Sequence, residues 1–167
     1  PFGPPGSGAG SGWGWFPLSM GGPPDALAVV RAVRAAREFI DAALARYPVD
    51  RRRVVLLGFS QGGVVAHALA LGASQDFRGL AALSSWLPEE IARMAPPAER
   101  GGLAALIQHG TRDDLIPVQR GRESRDRLAA LGVAVEAFEY EMGHEISPES
   151  ARDLSSWLEQ TLDLARL

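Results

Sequence analysis

The chain has 167 residues, 46% of them apolar and 22% charged, with a net charge of −3 at neutral pH. That length suits one domain with a sizeable core, and the weakly acidic balance argues against a nucleic-acid-binding surface. Without cysteine there are no disulfides, no thiolate nucleophile and no Cys-ligated metal, and no apolar run reaches the roughly 18 residues needed to span a bilayer.

Residues 1–24 hold eight glycines and six prolines around Trp13, Trp15 and Phe16, with no periodic pattern. This stretch is expected to be a loop, and its aromatic cluster is a candidate pocket wall. From residue 25 the pattern changes, and residues 25–167 are expected to form one α/β domain. A helix is predicted over 25–47, with Val29, Val33, Ala36, Ile40, Ala43 and Tyr47 as its apolar stripe. Pro24 can precede its first turn and Pro48 stops it.

Four strand-like runs follow, at 53–59, 79–85, 103–109 and 133–140. Between them the sequence predicts helices at 61–73, near 88–94 and at about 118–131, and a last one from Pro148 to about Ala165. Ser147 is its expected N-cap, and Ala151, Leu154, Leu158, Thr161, Leu162 and Ala165 its buried stripe. Strands alternating with helices imply a mostly parallel sheet covered by helices on both faces.

The most informative motif is Gly58-Phe59-Ser60-Gln61-Gly62, between the apolar run 53–57 and the apolar helix 61–73. A Gly-x-Ser-x-Gly at a strand-to-helix junction is the nucleophile elbow of an α/β-hydrolase. The turn is sharp, so bulk beside the serine would clash, and glycines at 58, 62 and 63 relieve that crowding. Open parallel sheets build their sites where strands end. Here Ser60 follows the first strand, Asp113 and Asp114 the third, and His144 the fourth.

Each has a task in acyl transfer. A serine hydroxyl needs a base to take its proton, and an imidazole with an unperturbed pKa of about 6.5 does this at neutral pH. A carboxylate on the other ring nitrogen fixes the tautomer. The Gln61 backbone N–H, one residue past the nucleophile, is placed to donate to the oxyanion. Spacing alone leaves Asp113 and Asp114 as alternatives. His67, deep in an apolar helix, and His109, at a strand end before glycine, are expected to be structural.

Four segments together resemble the carboxylesterases related to acyl-protein thioesterases and lysophospholipases. They are Gly58 to Gly63, Leu83-Ser84-Ser85-Trp86-Leu87-Pro88, His109 to Pro117, and Tyr140 to Ile146. The resemblance covers roughly residues 24–160. It implies Asp113, three after the glycine of His-Gly-x-x-Asp, as the triad acid and His144 as the base. It puts Trp86 and Leu87 near an acyl pocket, and Trp15-Phe16 resembles an aromatic element that precedes the long helix in such proteins.

The implied activity is hydrolysis of carboxylic esters through an acyl-enzyme. An open site lined by Trp86, Leu87, Ile116 and Trp15 suits short to medium acyl chains, with thioesters and lysophospholipids as further substrates. Neither metal nor cofactor is expected. The expected partner is a small-molecule ester, with no nucleic acid and no membrane span; the location expected is the cytoplasm, and relatives of this kind often form homodimers. Such proteins begin with a strand and a His-Gly-x-Gly loop that supplies a second oxyanion donor, and nothing in residues 1–24 matches it. The chain is therefore expected to start after that loop. The alternative reading is a catalytically silent module of the same fold that binds an acyl ligand or a protein.

Overall fold

The computed structural model describes residues 14–17, 25–96 and 102–163. The chain divides into two compact units, residues 1–49 and 50–167. The first contains helix α1, Ala26–Arg46. Its N-cap is Asp25, whose side chain accepts a hydrogen bond from the Leu27 N–H at 2.9 Å. The helix ends at Tyr47, held extended ahead of Pro48 as the residue before a proline prefers. Pro24 lies outside the described residues.

The buried face of α1 differs from the expected stripe. Ala28, Val29, Ala32 and Ala36 are buried, whereas Val33 and Ile40 are half-buried and Tyr47 is 62% exposed. Apolar residues surround much of this helix, so hydrophobicity alone does not single out a face. The buried alanines recur at i, i+4 and i+8 and form a low ridge along one face of the helix.

The second unit is built on four parallel strands in sequential order: β1 Val55–Phe59, β2 Gly79–Leu83, β3 Ala104–Gly110 and β4 Ala134–Tyr140. The helices are α2 Gln61–Gly72, α3 Glu89–Met94, α4 Val118–Ala130 and α5 Pro148–Thr161. Every strand and helix predicted from the pattern is present, with ends shifted by a few residues. β2 is buried along its whole length, as a strand covered on both faces must be.

The register shows which face each helix covers. Gly79 pairs with Ala104 and Ala81 with Leu106, so these four share a face. Trp157 of α5 packs there against Ala81 and Leu106, flanked by Leu154 and Leu158. A Cβ on Gly79 would come within 2.9 Å of the Trp157 ring, so that strand position is narrow because the indole fills it. Gly58, Ala82 and Ile107 lie in line on the opposite face. There α2 crosses Gly58, and α4 crosses His109 with Gly121 against its ring.

Trp157 was not among the residues expected in the α5 stripe, although it projects beside Leu154 and Thr161. Ser147 caps α5, accepting from the Ser150 N–H at 3.1 Å, with Pro148 in the first turn. Ala165 lies outside the described residues. Among the described residues no helix is long and apolar enough to cross a membrane.

Candidate active site

At the end of β1 the backbone turns so sharply that Ser60 adopts φ 53° and ψ −122°. An L-residue held there carries strain on the order of 1–3 kcal/mol, which the surroundings must impose. They do so by close packing. A Cβ on Gly58 would lie 2.3 Å from the Gly62 carbonyl, and one on Gly63 would lie 2.2 Å from the Ser85 hydroxyl. Gly58→Ala or Gly63→Ala is therefore expected to cost about 3 kcal/mol or more, because the clash partners are backbone or a buried side chain. Urea unfolding checks this; a loss below about 1 kcal/mol would mean that the turn has room to spread.

The loops after β3 and β4 are joined to each other along the backbone. Thr111 N–H donates to the Tyr140 carbonyl at 2.8 Å and Arg112 N–H to the Met142 carbonyl at 3.1 Å. A Cβ on Gly110 would sit 2.3 Å from the Met142 carbonyl oxygen, so glycine permits this approach. The seam brings Asp113 to His144. Asp113 Oδ2 accepts from His144 Nδ1 at 2.7 Å, while Oδ1 accepts the N–H groups of Leu115 at 3.0 Å and Ile116 at 2.8 Å.

Asp113 is buried and Asp114 is exposed, so the turn itself selects which carboxylate faces the imidazole. Burial pushes the Asp113 carboxyl upward. The Ile116 N–H, the hydrogen bond and charge of His144, and the Leu115 N–H more than reverse this and hold it below the usual carboxylate range. The group is thus an anion at neutral pH. With Asp113 ionised, the hydrogen on Nδ1 belongs to His144, which leaves Nε2 of the neutral ring as the basic nitrogen.

The β1 end reaches the same place through Phe59, the residue before Ser60. Its ring centroid lies 4.8 Å from that of His144, tilted by 49°. Gln61 occupies the first helical position of α2, at the positive end of the helix dipole.

Trp86 and Ile116 are half-buried. Leu87 is fully buried; its N–H donates to Ser124 Oγ at 2.7 Å and its carbonyl accepts from Arg127 Nη1 at 2.8 Å. In this conformation Leu87 backs the loop that carries Trp86 and presents no surface of its own. Trp15 is half-buried within the first unit. Among the described residues no group of three or more His, Asp or Glu is arranged to hold a metal ion.

The other two histidines are interior. His109 Nε2 lies 2.7 Å from the Ile116 carbonyl and 3.5 Å from Asp113 Oδ2, so it braces the loop that carries the acid. His67 is buried completely, with Nδ1 2.8 Å from the Gly63 carbonyl and Nε2 unpaired. Desolvation drives its pKa from 6.5 down to about 4, only partly offset by the Gly63 bond. The unfolded chain therefore binds this proton first. Stability is full above pH 6.5 and is lost as pH falls towards 4, by about 3 kcal/mol for this one group. Urea titrations across that window should show the loss in the wild type and a shallower slope in His67→Leu. Equal slopes would show that another group controls acid unfolding.

A parallel sheet with a strained serine at one strand end and an Asp–His pair at two others defines the α/β-hydrolase class. Residues 4–162 match the Phospholipase/Carboxylesterase family, and the chain belongs to it. It is 31% identical over 157 residues to a probable carboxylesterase of Oryza sativa subsp. japonica, covering 89% of this chain and 58% of that protein. It is 30% identical over 155 residues to the carboxylesterase SOBER1 of Arabidopsis thaliana, covering 89% and 68%. It is 33% identical over 114 residues to acyl-protein thioesterase 1 of Gibberella zeae, covering 66% and 48%. The crystal structure of SOBER1 superposes with a TM-score of 0.75 at 29% identity, over 89% of this chain and 73% of that one. The chain thus spans about half to two thirds of the length of these curated relatives.

Proposed function

We propose that this chain carries the catalytic residues of a serine hydrolase that cleaves carboxylic esters through an acyl-enzyme. Ser60 Oγ attacks the ester carbonyl carbon while His144 Nε2 takes its proton. The imidazolium that forms is stabilised across the Nδ1–Asp113 Oδ2 bond. The carbonyl oxygen, now an anion, accepts from the Gln61 N–H. Collapse of the tetrahedral species breaks the ester C–O bond, and the alcohol leaves with the proton from His144. Water then attacks the acyl-serine by the same steps in reverse order of proton transfer, releasing the acid and restoring Ser60.

The observation that carries this reading is the 2.7 Å bond between His144 Nδ1 and a buried, ionised Asp113, with the His144 ring 4.8 Å from that of Phe59, the residue before the strained Ser60. Trp86 and Ile116 are the proposed contacts for the acyl chain. Short to medium acyl groups fit this choice best. The family membership favours ester cleavage over a silent ligand-binding module.

A series of acetyl, butyryl, octanoyl and palmitoyl nitrophenyl esters tests the proposal. The highest kcat/KM is expected for butyryl or octanoyl, with palmitoyl at least tenfold lower, taking a few unplaced methylenes as the cost. If no ester is hydrolysed faster by the wild type than by Ser60→Ala, the catalytic reading is wrong.

A further inference from the structure

Ser85 lies on the loop that follows β2, and none of the chemistry above uses it. It is 3% exposed, and its hydroxyl donates to the carbonyl of Ser60 at 2.7 Å across twenty-five positions of sequence. We propose that Ser85 is a positioning residue for the nucleophile: it fixes the peptide plane after Ser60 and thereby aims the Ser60 hydroxyl at His144. This rests on the reading of Ser60 as the nucleophile.

Two backbone torsions set the direction of the Ser60 Cα–Cβ bond, and the peptides on both sides of it are anchored by hydrogen bonds. The Ser60 N–H donates to the Leu83 carbonyl at 2.9 Å, which holds the peptide before Ser60. The Ser60 carbonyl accepts from Ser85 Oγ and from the Gly63 N–H at 3.0 Å, which holds the peptide after it. Without the second anchor, ψ of Ser60 can relax from its strained value and the Cα–Cβ bond swings with it. Of these two donors, Ser85 supplies a side chain and Gly63 its backbone.

The surroundings of Ser85 are built for this contact. The preceding residue, Ser84, has φ 44°, a left-handed conformation that a serine adopts only under constraint. Its N–H is tied to the Gln108 carbonyl at 2.8 Å, so the chain leaves β2 by a fixed bend that presents the next side chain to the elbow. On the far side, Gly63 leaves room for the hydroxyl, since a Cβ there would lie 2.2 Å from Ser85 Oγ. Two strained serines, Ser60 and Ser84, thus stand at the ends of β1 and β2, and Ser85, the residue after Ser84, bonds to Ser60. Strained residues persist where the structure over-determines them, and this bond is one of the determinants.

The test is the inactivation of Ser85→Ala by a small alkyl fluorophosphonate, which reacts at the nucleophile and needs little of the acyl pocket. The limiting inactivation rate is expected to fall about tenfold with the half-saturating concentration unchanged, as losing one aligning hydrogen bond implies. Ester hydrolysis should show the same split, with kcat lowered and KM kept. A purely structural role would lower the melting temperature and leave the limiting rate of the folded protein as it was. Should Ser85→Ala fail to fold, Ser85→Cys fills the same space with a much weaker donor and carries the same expectation at reduced size. An unchanged limiting rate in a folded variant overturns the proposal while leaving Ser60 as nucleophile. A wild type that takes no phosphonate overturns both.

Discussion

Ser60→Ala is expected to abolish ester turnover, lowering kcat on the order of 10⁴- to 10⁶-fold. In the proposed mechanism the hydroxyl itself forms the covalent bond, which is why so large a loss is expected. Folding should be untouched, because alanine keeps the Cβ and hence the same backbone strain at φ 53° and ψ −122°. Ser60→Gly separates the two effects. It removes the hydroxyl and the strain together, so it should be equally inactive yet more stable by about 1–3 kcal/mol. Paired measurements of nitrophenyl butyrate hydrolysis and urea unfolding check both. Retained activity in Ser60→Ala would move the nucleophile elsewhere, and a glycine variant less stable than the wild type would mean that the elbow is not strained.

Asp113→Asn should be the next most damaging change, costing about 10⁴-fold in kcat. The carboxylate oxygen Oδ1 already accepts two backbone N–H groups, from Leu115 and Ile116, so the amide of an asparagine must place its oxygen there. Its NH2 then faces His144 Nδ1, where the wild type has an acceptor. A donor in that position favours the imidazole tautomer with its hydrogen on Nε2, and that nitrogen can no longer accept the serine proton. Because the shape of the site is kept, KM should change little. Asp114→Asn, which alters an exposed carboxylate, should stay within about twofold of the wild type. A large loss in Asp114→Asn with Asp113→Asn active would reverse the assignment of the acid.

Much of this arrangement is legible in the chain because local chemistry dictates it. Short apolar-rich runs punctuated by Gly, Pro and Asp place the four strands, and the cap Ser147 marks the start of α5. Ser60, the Asp113–Asp114 pair and His144 stand out as polar side chains at the ends of the first, third and fourth strands. Where two residues compete, as Asp113 and Asp114 do, spacing is silent, because the choice depends on which carboxylate the turn buries.

What escapes the sequence is set by strand register. Ser85 meets Ser60 because Leu83 pairs with Phe59, and Ser124 meets Leu87 because α4, packed on β3 and β4, lies against the loop that follows β2. Such contacts have no periodicity to read. The α1 stripe fails because, on a helix rich in alanine, hydrophobicity alone does not single out a face.

The central claim is that Ser60 alone is activated as a nucleophile. It is tested most directly by treating the protein with a fluorophosphonate, digesting it with trypsin and sequencing the fragment Val54 to Arg78 by mass spectrometry. That fragment contains both Ser60 and Ser74, of which Ser74 is buried away from the Asp–His pair. The account predicts one phosphonyl group per chain, carried by Ser60 and absent from Asp113→Asn treated for the same time. A chain that remains unmodified, or one labelled on a different serine, would contradict it.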